Sequence, residues 1–141
     1  MIGARGFFYG PATFVPLFLG VLWTLGTMGW IGLPLTIVTI ALSSVLLGLG
    51  VEYGSFIAER IVEESEKETV EEAVRESMPS TGKAVLGSST TDLVGFLALL
   101  TAPISFLRDL GLTLAIGESL TLLAAIGLTP ALIIRYKRWK R

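Results

Sequence analysis

The 141-residue chain contains no cysteine and no histidine. The first absence excludes disulfides and thiolate metal sites; the second removes the commonest metal ligand and the side chain that ordinarily moves protons near neutral pH. Proton chemistry therefore falls to carboxylates, tyrosine or water. Charge is scarce as well: Asp, Glu, Lys and Arg make up 16% of the chain against 52% hydrophobic residues, and a mean hydropathy of +0.71 lies outside the soluble range. No Lys or Arg interrupts the interior of a long apolar run. No basic face alternates with aromatics, so nucleic acid is not an expected partner. No nucleophile–base pair or metal-ligand constellation occurs, so an enzyme is not expected and no cofactor is called for.

What remains is four long apolar runs, each able at about 1.5 Å per residue to cross a hydrocarbon core about 30 Å thick. The expected fold is all-α and polytopic: a single transmembrane domain over residues 1–141 with spans at 13–30, 35–61, 83–101 and 109–134. The stretch before the first span resembles a signal peptide in charge and hydropathy, but no small-residue cleavage site follows and three more spans do, so it is read as retained. Pro16 falls near the start of the first span, where proline is tolerated, and Gly32-Leu-Pro34 makes a tight turn that forces spans one and two to be antiparallel neighbours.

The second span runs into Glu59, Arg60, Glu63 and Glu64 and is expected to continue past the membrane surface. Thr69-Val-Glu-Glu72 then reads as a capping box, opening an amphipathic helix over 69–78 with Val70, Ala73, Val74 and Met78 on one stripe and Pro79 after its end. After Ala102-Pro103 a short outer loop is expected to carry Arg108 and Asp109, and the fourth span contains Pro130, a possible kink. The chain closes on the basic, aromatic tail 135–141, suited to an anionic leaflet. With four spans, ten of the eleven Lys and Arg residues fall on one face and only Arg108 on the other. By the positive-inside rule that loaded face, with both termini and the amphipathic helix, is cytoplasmic, in a cell membrane.

Three acids punctuate the spans: Glu52 in the second, Asp92 in the third, Glu118 in the fourth. An ionised carboxylate in hydrocarbon is costly, so each is expected to be protonated, wetted by a cavity, or paired with a cation on another segment, and each option describes a group able to exchange protons. Glu52 is expected to face the protein interior, with Tyr53 supplying a hydroxyl to a polar path. Asp92 can instead face the hydroxyls of its own helix, in the run Gly87-Ser-Ser-Thr-Thr-Asp92, and Glu118 can lie near a solvated interface. Gly48, Gly50 and Gly54 on the second span, Gly95 on the third and Gly117 on the fourth are expected helix-packing positions, Gly50 and Gly54 having small-xxx-small spacing.

Taken in order, Gly48-x-Gly-Val-Glu-Tyr-Gly54, Glu59-Arg60, Thr69-Val-Glu-Glu-Ala-Val74, Ser89-Thr-Thr91, Gly95-Phe-Leu-Ala-Leu-Leu100, Arg108-Asp-Leu-Gly-Leu112, Ala115-Ile-Gly117 and Leu128-Thr-Pro-Ala-Leu132 resemble the resistance-nodulation-division superfamily. The resemblance is to its archaeal and mycobacterial-large (MMPL) branch, related to the Patched and sterol-sensing group, and covers nearly the whole chain. It implies spans three to six of a six-span half, in proteins whose two halves use proton flux to export hydrophobic or amphiphilic molecules. The family's fourth-span acid, usually Asp followed by Tyr, maps onto Glu52 and Tyr53, and implies a proton-coupling role for them. Glu in place of Asp keeps the chemistry and lengthens the arm. Asp92 and Glu118 stand where the family has small or apolar residues, so their assignment to proton coupling rests on burial alone.

The resemblance also leaves spans one and two and the extracytoplasmic domain outside this sequence. The expected partners are therefore membrane lipids, an amphiphilic substrate, and either the rest of a larger transporter or a second copy, in a homodimer burying the Gly50/Gly54 side. Two other functions fit the residues: an accessory role like that of the Sec translocon's D and F subunits, suggested by the run from Ile57 to Glu64, and a sterol-sensing-like lipid-binding or assembly domain that transports nothing.

Overall fold

The computed structural model describes residues 3–33 and 36–139, and within them the chain forms four long helices: α1 (Gly3–Ile31), α2 (Ile37–Glu64), α3 (Val70–Ala98) and α4 (Ser105–Trp139), with a 3-10 turn at Leu99–Thr101. All four are long and apolar enough to cross a membrane. Their outward faces carry Phe18, Leu22, Leu123 and Val94, each more than half exposed, as spanning helices require, since backbone polar groups are satisfied internally and side chains meet lipid.

The ends of the helices follow local chemistry. Gly32 at φ 75 lets the chain turn out of α1, and the Leu33 amide donates to the Met28 carbonyl at 3.0 Å in the Schellman arrangement. Pro34, the last residue of the expected turn, lies outside the described residues. α2 does continue beyond its apolar part, to Glu64. The capping box forms as expected: the Glu72 amide donates to Thr69 Oγ1 at 3.4 Å, and the Thr69 amide donates to Glu72 Oε2 at 3.2 Å. Between the 3-10 turn and α4, Arg108 donates to the carbonyls of Ala102 (3.0 Å) and Pro103 (3.5 Å), closing the connection.

Several boundaries differ from the expectation. α1 begins at Gly3, so Pro16 is an interior residue rather than a first-turn one, and it is buried. Arg108 and Asp109 belong to the first turns of α4, because the arginine caps the preceding loop by hydrogen bonding. The tail from Arg135 remains helical as far as Trp139. Most consequentially, residues 69–78 are not a separate amphipathic helix. α3 runs through Pro79 without a break, because a proline costs a helix one amide donor but not its continuation where packing holds both sides. Val70, Ala73, Ser77, Thr81, Val85 and Ser89 thus form one buried stripe along a single helix.

α4 is the most enclosed helix and packs against each of the others, α3 is the least enclosed, and α1 and α3 do not meet among the described residues. Glycines set the closest approaches. A Cβ on Gly20 would lie 2.8 Å from both Cα and Oγ1 of Thr121, and one on Gly50 would collide with Leu17 and lie 2.6 Å from Thr121 Cγ2, so α1, α2 and α4 converge at Thr121. Because the obstacle at Gly20 is backbone, Gly20→Ala is expected to destabilise the fold by about 1–3 kcal/mol through overpacking. Gly26→Ala, where nothing lies within 4 Å, is expected to be neutral or stabilising; thermal unfolding of both variants in detergent checks the contrast.

Candidate functional site

Three helices bring their polar side chains together near Tyr53. On α2, residues Gly50, Tyr53, Gly54, Ile57, Ala58 and Ile61 share one buried stripe at helical spacing. Tyr53 is 2% exposed, and its hydroxyl donates to Glu118 Oε1 of α4 at 2.6 Å; Asp92 Oδ2 of α3 lies 3.3 Å from the same oxygen. Glu118 is fully buried, and its Oε2 has no hydrogen-bond partner among the described residues. Asp92 is half-buried at the edge of the group. None of the ion pairs among the described residues involves either acid.

The chemistry of this arrangement follows from counting protons. A phenol carries one, and at 2.6 Å it is committed to Glu118. The Asp92 contact is then made either by a shared, weaker donation or by a proton on the Asp92 carboxyl donated to the phenol oxygen. Two carboxyl groups and one hydroxyl, with no ion-pair partner for either acid among the described residues, can thus be joined by more than one placement of the protons.

Of the four residues expected to carry proton coupling, the fold brings Tyr53, Asp92 and Glu118 together. Glu52 is exposed on the surface of the four-helix unit, with Gly48, Val51, Phe56 and Glu59. The expectation that it faces the interior of this chain is not met, for a geometric reason: adjacent helical residues point about 100° apart, and the stripe that buries Tyr53 turns Glu52 outward. Gly50, Gly54 and Gly117 do sit at close approaches, Gly54 against Thr13 (3.3 Å) and Gly117 against Leu46 and Thr24 (3.1 Å to the latter). Gly50 and Gly54 are thereby occupied by α1 and α4, so their side is not available to a second copy as expected. Gly48 and Gly95 are exposed, with nothing within 4 Å of a Cβ placed on them.

The sequence reading missed the buried hydroxyls Ser77, Thr81 and Thr129, which are 3%, 4% and 0% exposed. Their signal, the spacing 77, 81, 85, 89 and 92 on α3, is hidden once the helix is divided at Pro79.

With this geometry in place, the comparisons with known proteins are decisive about kinship. The MMPL family profile matches residues 15–141. The chain belongs to the MMPL family. It is 37% identical over 125 residues to a membrane protein of Methanocaldococcus jannaschii, covering 88% of this chain and 32% of that protein. It is 30% identical over 114 residues to the transport protein MmpL12 of Mycobacterium tuberculosis, covering 78% of this chain and 10% of the relative. It is 27% identical over 96 residues to the sulfolipid-1 exporter MmpL8 of the same species, covering 67% and 9%. The chain thus spans a third or less of the length of these curated relatives. No solved structure matches it.

Removing only the phenol hydroxyl leaves Glu118 buried without its donor, whereas removing both polar groups leaves an apolar contact. Tyr53→Phe and Glu118→Leu are therefore expected to be non-additive in unfolding free energy, with a coupling of about 0.5–2 kcal/mol, as measured by a double-mutant cycle in detergent.

Proposed function

We propose that this chain is membrane machinery of a proton-coupled exporter of hydrophobic or amphiphilic molecules, in which Glu52, Tyr53, Asp92 and Glu118 carry the coupling. One observation supports this above the rest: a buried carboxyl, a half-buried carboxyl and a phenol from three helices meet with no cation among them. Adding or removing a proton there changes which of the three can donate, and hence how strongly α3 and α4 are tied to α2. Glu52, one residue from Tyr53 and turned about 100° from it round α2, is an acid on the outer face of a spanning helix, where a carboxylate is costly unless another protein surface or water meets it. The relatives are several times longer than this chain, which supplies candidates for that surface, and the name of one of them, a sulfolipid exporter, supports an amphiphilic cargo. The positive-inside distribution supports placing the end of the bundle with Glu71 and Arg138 in the cytoplasm of a cell membrane.

The test is proton-driven efflux of an amphiphilic dye from proteoliposomes carrying an internal pH indicator. Glu118→Gln and Glu52→Gln are each expected to lower it on the order of a hundredfold, the scale of losing a positioned proton-transfer group, with Glu52→Asp retaining most of it. Full proton-driven efflux in both glutamine variants would overturn the proposal, and lipid binding without any proton-dependent flux in the parent protein would favour an assembly role.

A further inference from the structure

The acid cluster is not central along α3. Asp92 lies six residues from the helix's end at Ala98 but 22 from its start at Val70, about 9 Å against about 33 Å. A proton that reaches the cluster has a long way to go toward the end where α3 begins and α4 finishes, and the seam between those helices is where buried hydroxyls gather.

Three contacts fix the antiparallel register of the seam: Gly111 against Leu99, Glu118 and Asp92 on the Tyr53 hydroxyl, and Arg138 donating to Glu71 at 3.1 Å. Stepping from the acids toward Arg138, Ser89 of α3 comes first, then Val85 level with Ala125, then Thr81 level with Thr129, then Ser77. Val85 and Ala125 belong to the same core cluster, and all six are 4% exposed or less.

Two of the four hydroxyls on this line do not behave like ordinary helical ones. Buried Ser and Thr usually donate back to a carbonyl of their own helix, and here Thr24, Thr113 and Ser89 do so, to Gly20, Asp109 and Leu86. Ser77 Oγ and Thr129 Oγ1 instead are buried with no partner among the described residues, as is Glu118 Oε2 at the head of the line. Each such group carries a desolvation penalty that a partner would relieve, and a transient water needs polar partners of this kind.

Building on the proposed function, we infer that protons pass between the Tyr53–Asp92–Glu118 cluster and the Glu71–Arg138 end of the bundle along the α3–α4 seam, by way of Ser89, Thr81, Thr129 and Ser77. The relay is a hydroxyl-and-water wire: each oxygen accepts a proton from one side as it gives its own to the other, so no group gains or loses charge overall. Between Ser89 and Thr81 the helix rises about 12 Å, past the apolar pair Val85 and Ala125. That stretch is too long for a direct hop, so water must enter it, and the dry pair is the gate that keeps the wire from leaking when the helices are closed.

Proton flux through proteoliposomes under an imposed pH gradient, read by an internal pH-sensitive dye, tests the route. Thr129→Val and Thr81→Val, which keep volume and remove the hydroxyl, are expected to slow flux about tenfold each, with Ser in either position restoring it, while unfolding in detergent shows no loss of stability for Thr129→Val. Val85→Thr, which adds a hydroxyl at the gate, is expected to raise flux severalfold. Thr121→Val is the control: its hydroxyl is equally buried and unpaired but lies against Gly20 of α1, away from the seam, and flux is expected to be unchanged. Parent-like flux in both Thr129→Val and Thr81→Val, with Glu118→Gln still inactive, overturns the route alone. Absence of proton flux in the parent protein overturns the route and the proposed function together.

Discussion

One tyrosine hydroxyl set between two carboxyl groups is the constraint around which this bundle is arranged. Tyr53 can reach Glu118 and Asp92 only if α2, α3 and α4 hold one relative height and rotation, and the rest of the fold supplies that arrangement. α4 occupies the middle, and glycines let its neighbours come close: Gly20 and Gly50 admit Thr121, and Gly117 admits Leu46 and Thr24. In a membrane this route to tight packing is favoured, because lipid is as apolar as leucine and helices associate through close fit and hydrogen bonds rather than by escape from water.

Much of this was legible in the sequence. Four apolar runs gave four helices, the Thr69–Glu72 spacing gave the capping box, and rarity of charge in the spans drew attention to Asp92 and Glu118, which do meet. Of the glycines singled out, Gly50, Gly54 and Gly117 lie at close approaches between helices, and Gly48 and Gly95 do not. The order of motifs also carried the kinship that the family match shows.

What was not legible depends on rotation and continuity, which apolar runs encode weakly. A helix that is hydrophobic nearly all round gives no pattern from which to tell that Tyr53 points in and Glu52 out; the decision is made by Gly50, Gly54, Ile57 and Ile61 packing on one side. Gly48 looks like Gly50 in sequence and lies on the exposed face. Pro79 followed an amphipathic pattern and so read as a terminator, yet the chain runs on through it. Dividing α3 there separated Ser77 from Ser89 and Asp92 and hid the polar stripe that only a continuous helix makes.

That stripe also explains how α3 stays attached. It is the least enclosed helix, and the ion pair between Glu71 and Arg138 at its start is exposed on both sides, a type of contact worth about 0–1 kcal/mol. Burial of Val70 and Ala73 helps where the helix emerges, but deeper in the span an apolar side chain gains little by exchanging lipid for protein. The contacts that favour protein over lipid there are polar ones, and Asp92 on Tyr53 is the deepest of those α3 makes with another helix. The least enclosed helix is therefore tied to the bundle through a phenol–carboxyl contact, the place at which the proposed proton coupling would act on it.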